Sequence, residues 1–174
     1  LADATIAKLR QYEGMELNDE LMGRYIKIAS EISCEYCCGA KALIFTEDDE
    51  RKRDEQIDAA VRAGQIAEAR AERYRIKAGD RACGCAHSYA MRGLAKYLLA
   101  NHGEEMSDEQ ILEELGKWKV LFFPGILKKK AKILEEKGIE LNYINLASNK
   151  YRGIENSAQS AQGSSGSSAM VGGC

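Results

Sequence analysis

Pro124 is the only proline in this chain of 174 residues. Little in the sequence therefore forbids long helices, since proline is the residue that most strongly interrupts them. A strong charge of either sign is missing as well: 25 basic and 27 acidic side chains leave a net charge of −2. No global field then draws the chain to nucleic acid or to an anionic membrane surface, so no nucleic-acid partner is expected. No apolar run approaches the roughly 18 to 20 residues that a bilayer span needs. The stretch from Leu1 to Tyr12 lacks the basic start and apolar centre of a signal peptide. As written the chain reads as soluble. It starts at Leu1 rather than at a methionine, so its localisation is unknown from sequence, and a membrane is expected only through an anchor upstream of Leu1.

Several catalytic signatures are also missing. There is no Gly-rich loop to cradle phosphate after a strand and no Gly-x-Ser-x-Gly nucleophile turn. The His-x-Glu and Pro-Cys-x-x-Cys elements of a zinc deaminase are absent. Covalent haem attachment requires Cys-x-x-Cys-His, but Cys37 is followed by Cys38, and His87 follows Cys85 after Ala86. No residue is assigned a catalytic role, and an enzyme is the less favoured reading.

What the chain does hold is thiol. Five of its 6 cysteines lie in two clusters, Cys34-Glu-Tyr-Cys37-Cys38 and Cys83-Gly-Cys85, the second followed closely by His87; the sixth is Cys174. Two thiolates spaced by two residues can face one ion across a tight turn, and a pair from a distant segment completes a four-sulfur shell. Cys34, Cys37, Cys83 and Cys85 fit that logic, with Cys38 and His87 as additional donors and Cys174 as a mobile one. Zinc is the leading ion, with copper(I) or an iron-sulfur cluster as alternatives, because soft thiolates select all three. Metal handling or assembly competes with thiol-disulfide or electron-transfer chemistry, and with a structural zinc in an assembly subunit. On the blander reading Cys38 is a small buried hydrophobe and His87 a helix-start residue that merely caps or packs. His102, at a helix end, is read as a partner of the helix dipole.

The expected fold is a mainly α, single helical domain over residues 1–152. Residues 4–12 read as a short helix stopped by Gly14, and Asn18 caps a second that runs to about Ile32. Residues 42–46 form a short apolar run that could pair with 77–83 in a small β-hairpin, bringing the two cysteine clusters together. Between them, residues 47–81 hold ten acidic and nine basic side chains and read as an inserted charged helical hairpin turning near Ala63-Gly64. Its charges suit a solvated face, and its shape would suit a protein partner or a second copy of the chain. His87 or Ser88 opens the next helix, which ends at Gly103. Helix polarity there favours thiolate at Cys83 and Cys85. Ser107 begins a capping box for a helix with Ile111, Leu112, Leu115, Trp118 and Leu121 on its apolar face. After the break at Pro124-Gly125, residues 126–137 are amphipathic, and Lys128-Lys129-Lys130 reads as solvated. Residues 141–147 add a last turn or two. Residues 153–174 read as a flexible Gly/Ser-rich tail with a root-mean-square reach of roughly 25 Å.

At Cys34-Glu-Tyr-Cys-Cys-Gly, at Cys83-Gly-Cys-Ala-His-Ser-Tyr-Ala-Met-Arg-Gly-Leu-Ala-Lys-Tyr-Leu, at Gly116-Lys-Trp-Lys with Phe122-Phe-Pro, and at the closing Met170-Val-Gly-Gly-Cys, the chain resembles a group of small uncharacterised microbial proteins. The resemblance covers most of the length outside residues 47–81. It implies an N-terminal membrane anchor before Leu1 and no catalytic residues.

Overall fold

The helix signals of the sequence translate into helices capped by named side chains. In a computed structural model that describes residues 2–157, α1 (Ala2–Arg10) runs into a 3-10 turn, Gln11–Gly14. Asn18 Oδ1 accepts the Leu21 amide at 2.9 Å and opens α2 (Asp19–Ser30). Thr46 and Asp49 close a reciprocal capping box on α3 (Glu47–Arg62), as Ser107 and Gln110 do on α6 (Asp108–Phe122). Pro124 occupies the first turn of α7 (Pro124–Glu136), where its missing N–H costs nothing. Between these lie α4 (Glu68–Ala71), followed by a 3-10 turn at Glu72–Tyr74, and α5 (Ala86–His102); α8 (Tyr143–Ala147) and α9 (Ile154–Ser157) close the described chain. The architecture is mainly α, and no helix among the described residues is long and apolar enough to cross a membrane.

Helix α5 is the axis on which the others pack. It contacts α1, α2 and α6, and buries Met91, Leu94, Ala95 and Leu99 against Tyr25, Ile28 and Ala29 of α2 and Ile111 and Leu115 of α6. Each large apolar side chain so buried contributes about 1.5–3 kcal/mol. The approach of α1 is set by Gly93: a Cβ there would sit 1.9 Å from the Leu9 carbonyl oxygen, so only glycine lets the two backbones meet. Arg24 and Lys27 of α2 both bond Asp108 at the start of α6, at 2.7 and 2.9 Å.

Four expectations are corrected or refined. The apolar run 42–46 does lie antiparallel to 79–82, with Phe45 N donating to Asp80 O at 2.8 Å and Gly79 N to Phe45 O at 2.9 Å, but the pairing amounts to one isolated bridge, Ile44 to Arg81. A longer ladder is blocked at one end because Leu43 N is held by the α2 carbonyls of Ala29 and by Ile32, and at the other by the turn at Gly79, whose φ is +93°. The inserted hairpin has one long arm, α3, and a short return; Arg75 clamps the two by bonding Asp54 and Asp58, both at 2.6 Å. On α6 the core position is Phe122, while Leu121 is exposed. The chain from Gly153 also continues as a helical turn, with Glu155 buried, rather than leaving the domain at once.

Candidate metal centre

Two segments carry the cysteines. The first, Ser33 to Ala40, leaves the C-terminus of α2 and turns sharply because Glu35 adopts φ 59° and Gly39 φ 69°. Glu35 is the one described non-glycine residue in the left-handed region, a conformation an L side chain adopts only when its surroundings hold it there. Its carboxylate supplies that restraint. Oε2 accepts from the fully buried Lys119 Nζ at 2.9 Å, Oε1 accepts the Gly153 amide at 3.1 Å, and Arg152 lies alongside. Burial opposes ionisation of Glu35, but Lys119, Lys130 and Arg152 outweigh it and hold the carboxyl below its usual range. Lys119 also donates to the Ala147 carbonyl. Arg152 bonds Ser33 Oγ and the carbonyls of Ala40 and Gly39, so the end of the described chain buckles the loop from outside. Tyr36 donates its hydroxyl to buried Glu155 at 2.9 Å.

The second segment, Ala82 to Ala86, is fixed by Arg92 of α5. Its guanidinium is 1% exposed, donates to the carbonyls of Cys83 and Leu43 at 2.9 and 3.0 Å, and pairs with Glu13 at 2.7 Å. One side chain thus ties both approaches to the site onto the central helix. Cys85 itself is the N-cap of α5, its Sγ accepting the Ser88 amide at 3.3 Å. The helix therefore opens at Ala86, one residue before the expected start.

These restraints bring the sulfurs into one basin. Cys34 Sγ lies 3.4 Å from Cys85, 3.6 Å from Cys38 and 3.9 Å from Cys83. Cys38 and Cys83 are in disulfide contact, with Cα atoms 6.5 Å apart. Cys37 Sγ is 3.2 Å from His87 Nδ1. Cys34, Cys38, Cys83 and Cys85 form one group with all donor atoms within 4.8 Å of one another, and Cys37, Cys85 and His87 form a second. Spacing groups Cys37 with Cys34; the left-handed Glu35 instead swings Cys38 beside Cys34 and sends Cys37 toward His87. Cys38 is exposed, which removes the reading of a buried small hydrophobe. His87 is buried, its ring between Phe122 and Phe123 with centroids 4.9 and 4.8 Å away. Cys174 lies outside the described residues. His102 pairs with Glu105 at the end of α5.

The Cys34 and Cys85 thiols are shifted in opposite directions. The hydrogen bond between them and the Ser88 amide push the Cys85 thiol well below its ordinary range, while that hydrogen bond and burial push Cys34 up. The unpaired amides at the α5 N-terminus act on Cys85 in the same direction.

Sequence reasoning did not single out the buried ions around this basin. Arg92, Lys119 and Lys130 are all buried, each in phase with an apolar stripe: Arg92 with Ala95 and Leu99; Lys119 with Leu115 and Phe122; Lys130 with Leu127 and Leu134. A charged residue on the core phase of a helix was the available signal. Lys130 corrects the solvated reading of its lysine run, of which Lys128 and Lys129 alone are exposed. Family models, curated proteins and solved structures offer no match to this chain.

The cluster of cysteines with a histidine is compatible with a bound metal ion. With a metal-sulfur bond of about 2.3 Å, a tetrahedral shell sets its sulfurs roughly 3.8 Å apart. The three separations from Cys34 scatter about that value by a few tenths of an ångström. The Cys38–Cys83 contact is the exception, and those two sulfurs must separate, reduced, to face an ion.

Proposed function

We propose that this protein binds a soft metal ion, zinc first among them, through Cys34, Cys38, Cys83 and Cys85, and that it serves in metal handling or assembly. The observation that carries the reading is the meeting of four sulfurs from two segments 45 residues apart around the buried Cys34. The exposure of Cys38 favours handling over a purely structural ion, because a closed structural shell hides its ligands whereas an exposed thiolate admits exchange with an incoming donor. Cys174 is a further candidate donor: Gly153, near the end of the described residues, is bonded to Glu35 inside the cysteine loop. The charged arm at residues 47–81 is the surface offered to a protein partner.

A second reading is thiol-disulfide chemistry. It draws on the Cys38–Cys83 contact, with Cys34 beside both sulfurs and a thiolate-favoured Cys85 next to it.

Metal analysis of anaerobically purified protein, followed by alkylation with and without a chelator, separates the two. The metal reading expects near-stoichiometric zinc, copper or iron and four cysteines that react only after chelation. Absence of metal, with Cys38 and Cys83 recovered as a linked pair, overturns it in favour of exchange.

A further inference from the structure

The four-thiolate set leaves Cys37 and His87 unused, although His87 is buried and its Nδ1 points at Cys37. We infer that the basin holds a second soft ion, bound by Cys37, Cys85 and His87, with Cys85 bridging the two ions. The inference rests on the metal-binding reading above and extends it from one ion to two.

Three observations converge on it. Cys85 belongs to both donor groups, each compact enough for one ion. A bridging sulfur must face both positions, and Cys85 Sγ is held between the two groups as the N-cap of α5, accepting the Ser88 amide at 3.3 Å. The ring of His87 is held by Phe122 and Phe123, so Nδ1 is fixed in place and needs no reorganisation to ligate. For a tetrahedral ion, sulfur and nitrogen ligands stand about 3.6 Å apart, near the 3.2 Å between Cys37 Sγ and His87 Nδ1.

Charge points the same way. One divalent ion on four thiolates leaves surplus negative charge in a site where Cys34 and Cys83 are buried, and a fifth thiolate at Cys37 would add to it. A second cation offsets that surplus. The two positions also differ in kind. The inner ion has four sulfur ligands, whereas the outer has three donors and a fourth position toward the half-exposed Cys37 side. Three protein donors with an open position characterise sites that exchange a ligand rather than lock one in. The outer ion is therefore the faster to leave and enter, and the inner one, with four sulfur ligands, the slower.

The test titrates reduced, metal-free full-length protein with zinc or cadmium and counts bound ions by native mass spectrometry. It compares the wild type with Cys37→Ser and His87→Gln and follows chelator-driven release over time. Expected are two ions in the wild type, released in a fast and a slow phase, and one ion with the slow phase alone in Cys37→Ser. Because His87 is buried, His87→Gln could unfold the chain, and Cys37→Ser, at a half-exposed position, then decides alone. One ion in both wild type and Cys37→Ser overturns the second site and leaves the four-thiolate reading standing. Two ions in both overturn the assignment to Cys37. No ion in any of them overturns the metal reading itself.

Discussion

Replacing Lys119 by methionine removes one charge from the middle of the molecule while keeping nearly the same volume. Lys119 Nζ and Glu35 Oε2 are 2.9 Å apart, with side-chain exposures of 0% and 8%. At an effective dielectric constant near 20, their attraction is about 6 kcal/mol, much of it offset by the dehydration of both ions. Breaking the pair on one side leaves the Glu35 carboxylate with only the Gly153 amide and Arg152, and the Ala147 carbonyl without its lysine donor, and a loss of about 3–5 kcal/mol is expected. That is a large part of the roughly 5–15 kcal/mol that keeps a domain folded. Urea unfolding at pH 7 reads the loss as a fall in midpoint at unchanged slope. The pH dependence carries the sharper test. Glu35 has a folded-state pKa below its unfolded value, so its contribution is fully present above the ordinary glutamate pKa, about 4.3, and disappears as pH falls through the depressed value. Without Lys119, the strongest of the charges that lower it, burial is opposed only by Lys130 and Arg152, and protonation of the carboxyl costs the fold less. The stability gap between the two proteins should therefore narrow on acidification through pH 4, and Lys119→Met with Glu35→Gln should recover part of it at pH 7. A gap under about 1 kcal/mol at pH 7, or one that persists unchanged in acid, would refute the claim that this pair holds the cysteine loop.

Arg92→Met should cost about 3–5 kcal/mol, because it leaves Glu13 only the more distant Arg81, at 3.9 Å, and frees the carbonyls of Leu43 and Cys83. Alkylation rates should then rise at Cys34 and Cys83, the buried thiols it positions, with metal removed and reductant present. Gly93→Ala should lower the melting temperature by an amount equivalent to about 1–3 kcal/mol or more, since the new Cβ can be accommodated only if α1 shifts away from α5; an unchanged melting temperature would contradict that close approach. Cys174→Ser should leave unfolding and ion count untouched and slow the transfer of metal to an acceptor chelator; equal transfer rates would remove Cys174 from the mechanism.

Helix positions were legible in the sequence because their signals are local. Asn18 and Ser107 act on amides three residues away, and apolar stripes repeat within one element. The convergence of the two cysteine clusters was legible from the apolar run 42–46 and its partner near residue 80. The grouping of the sulfurs was not. It depends on Glu35 standing in the left-handed region, and that depends on Lys119, Arg152 and Gly153, residues 84 to 118 positions away that spacing does not connect. The same holds for Arg92, whose partners Glu13, Leu43 and Cys83 come from three separate segments. Long-range polar ties leave only a faint mark in sequence, a lysine or arginine in phase with a buried stripe.

The most direct test of the account is X-ray absorption at the edge of the metal in zinc-loaded, reduced protein. A first shell dominated by sulfur at about 2.3 Å, with a smaller nitrogen contribution, is predicted. A shell of oxygen and nitrogen without sulfur, or protein that cannot be loaded at all, would contradict it.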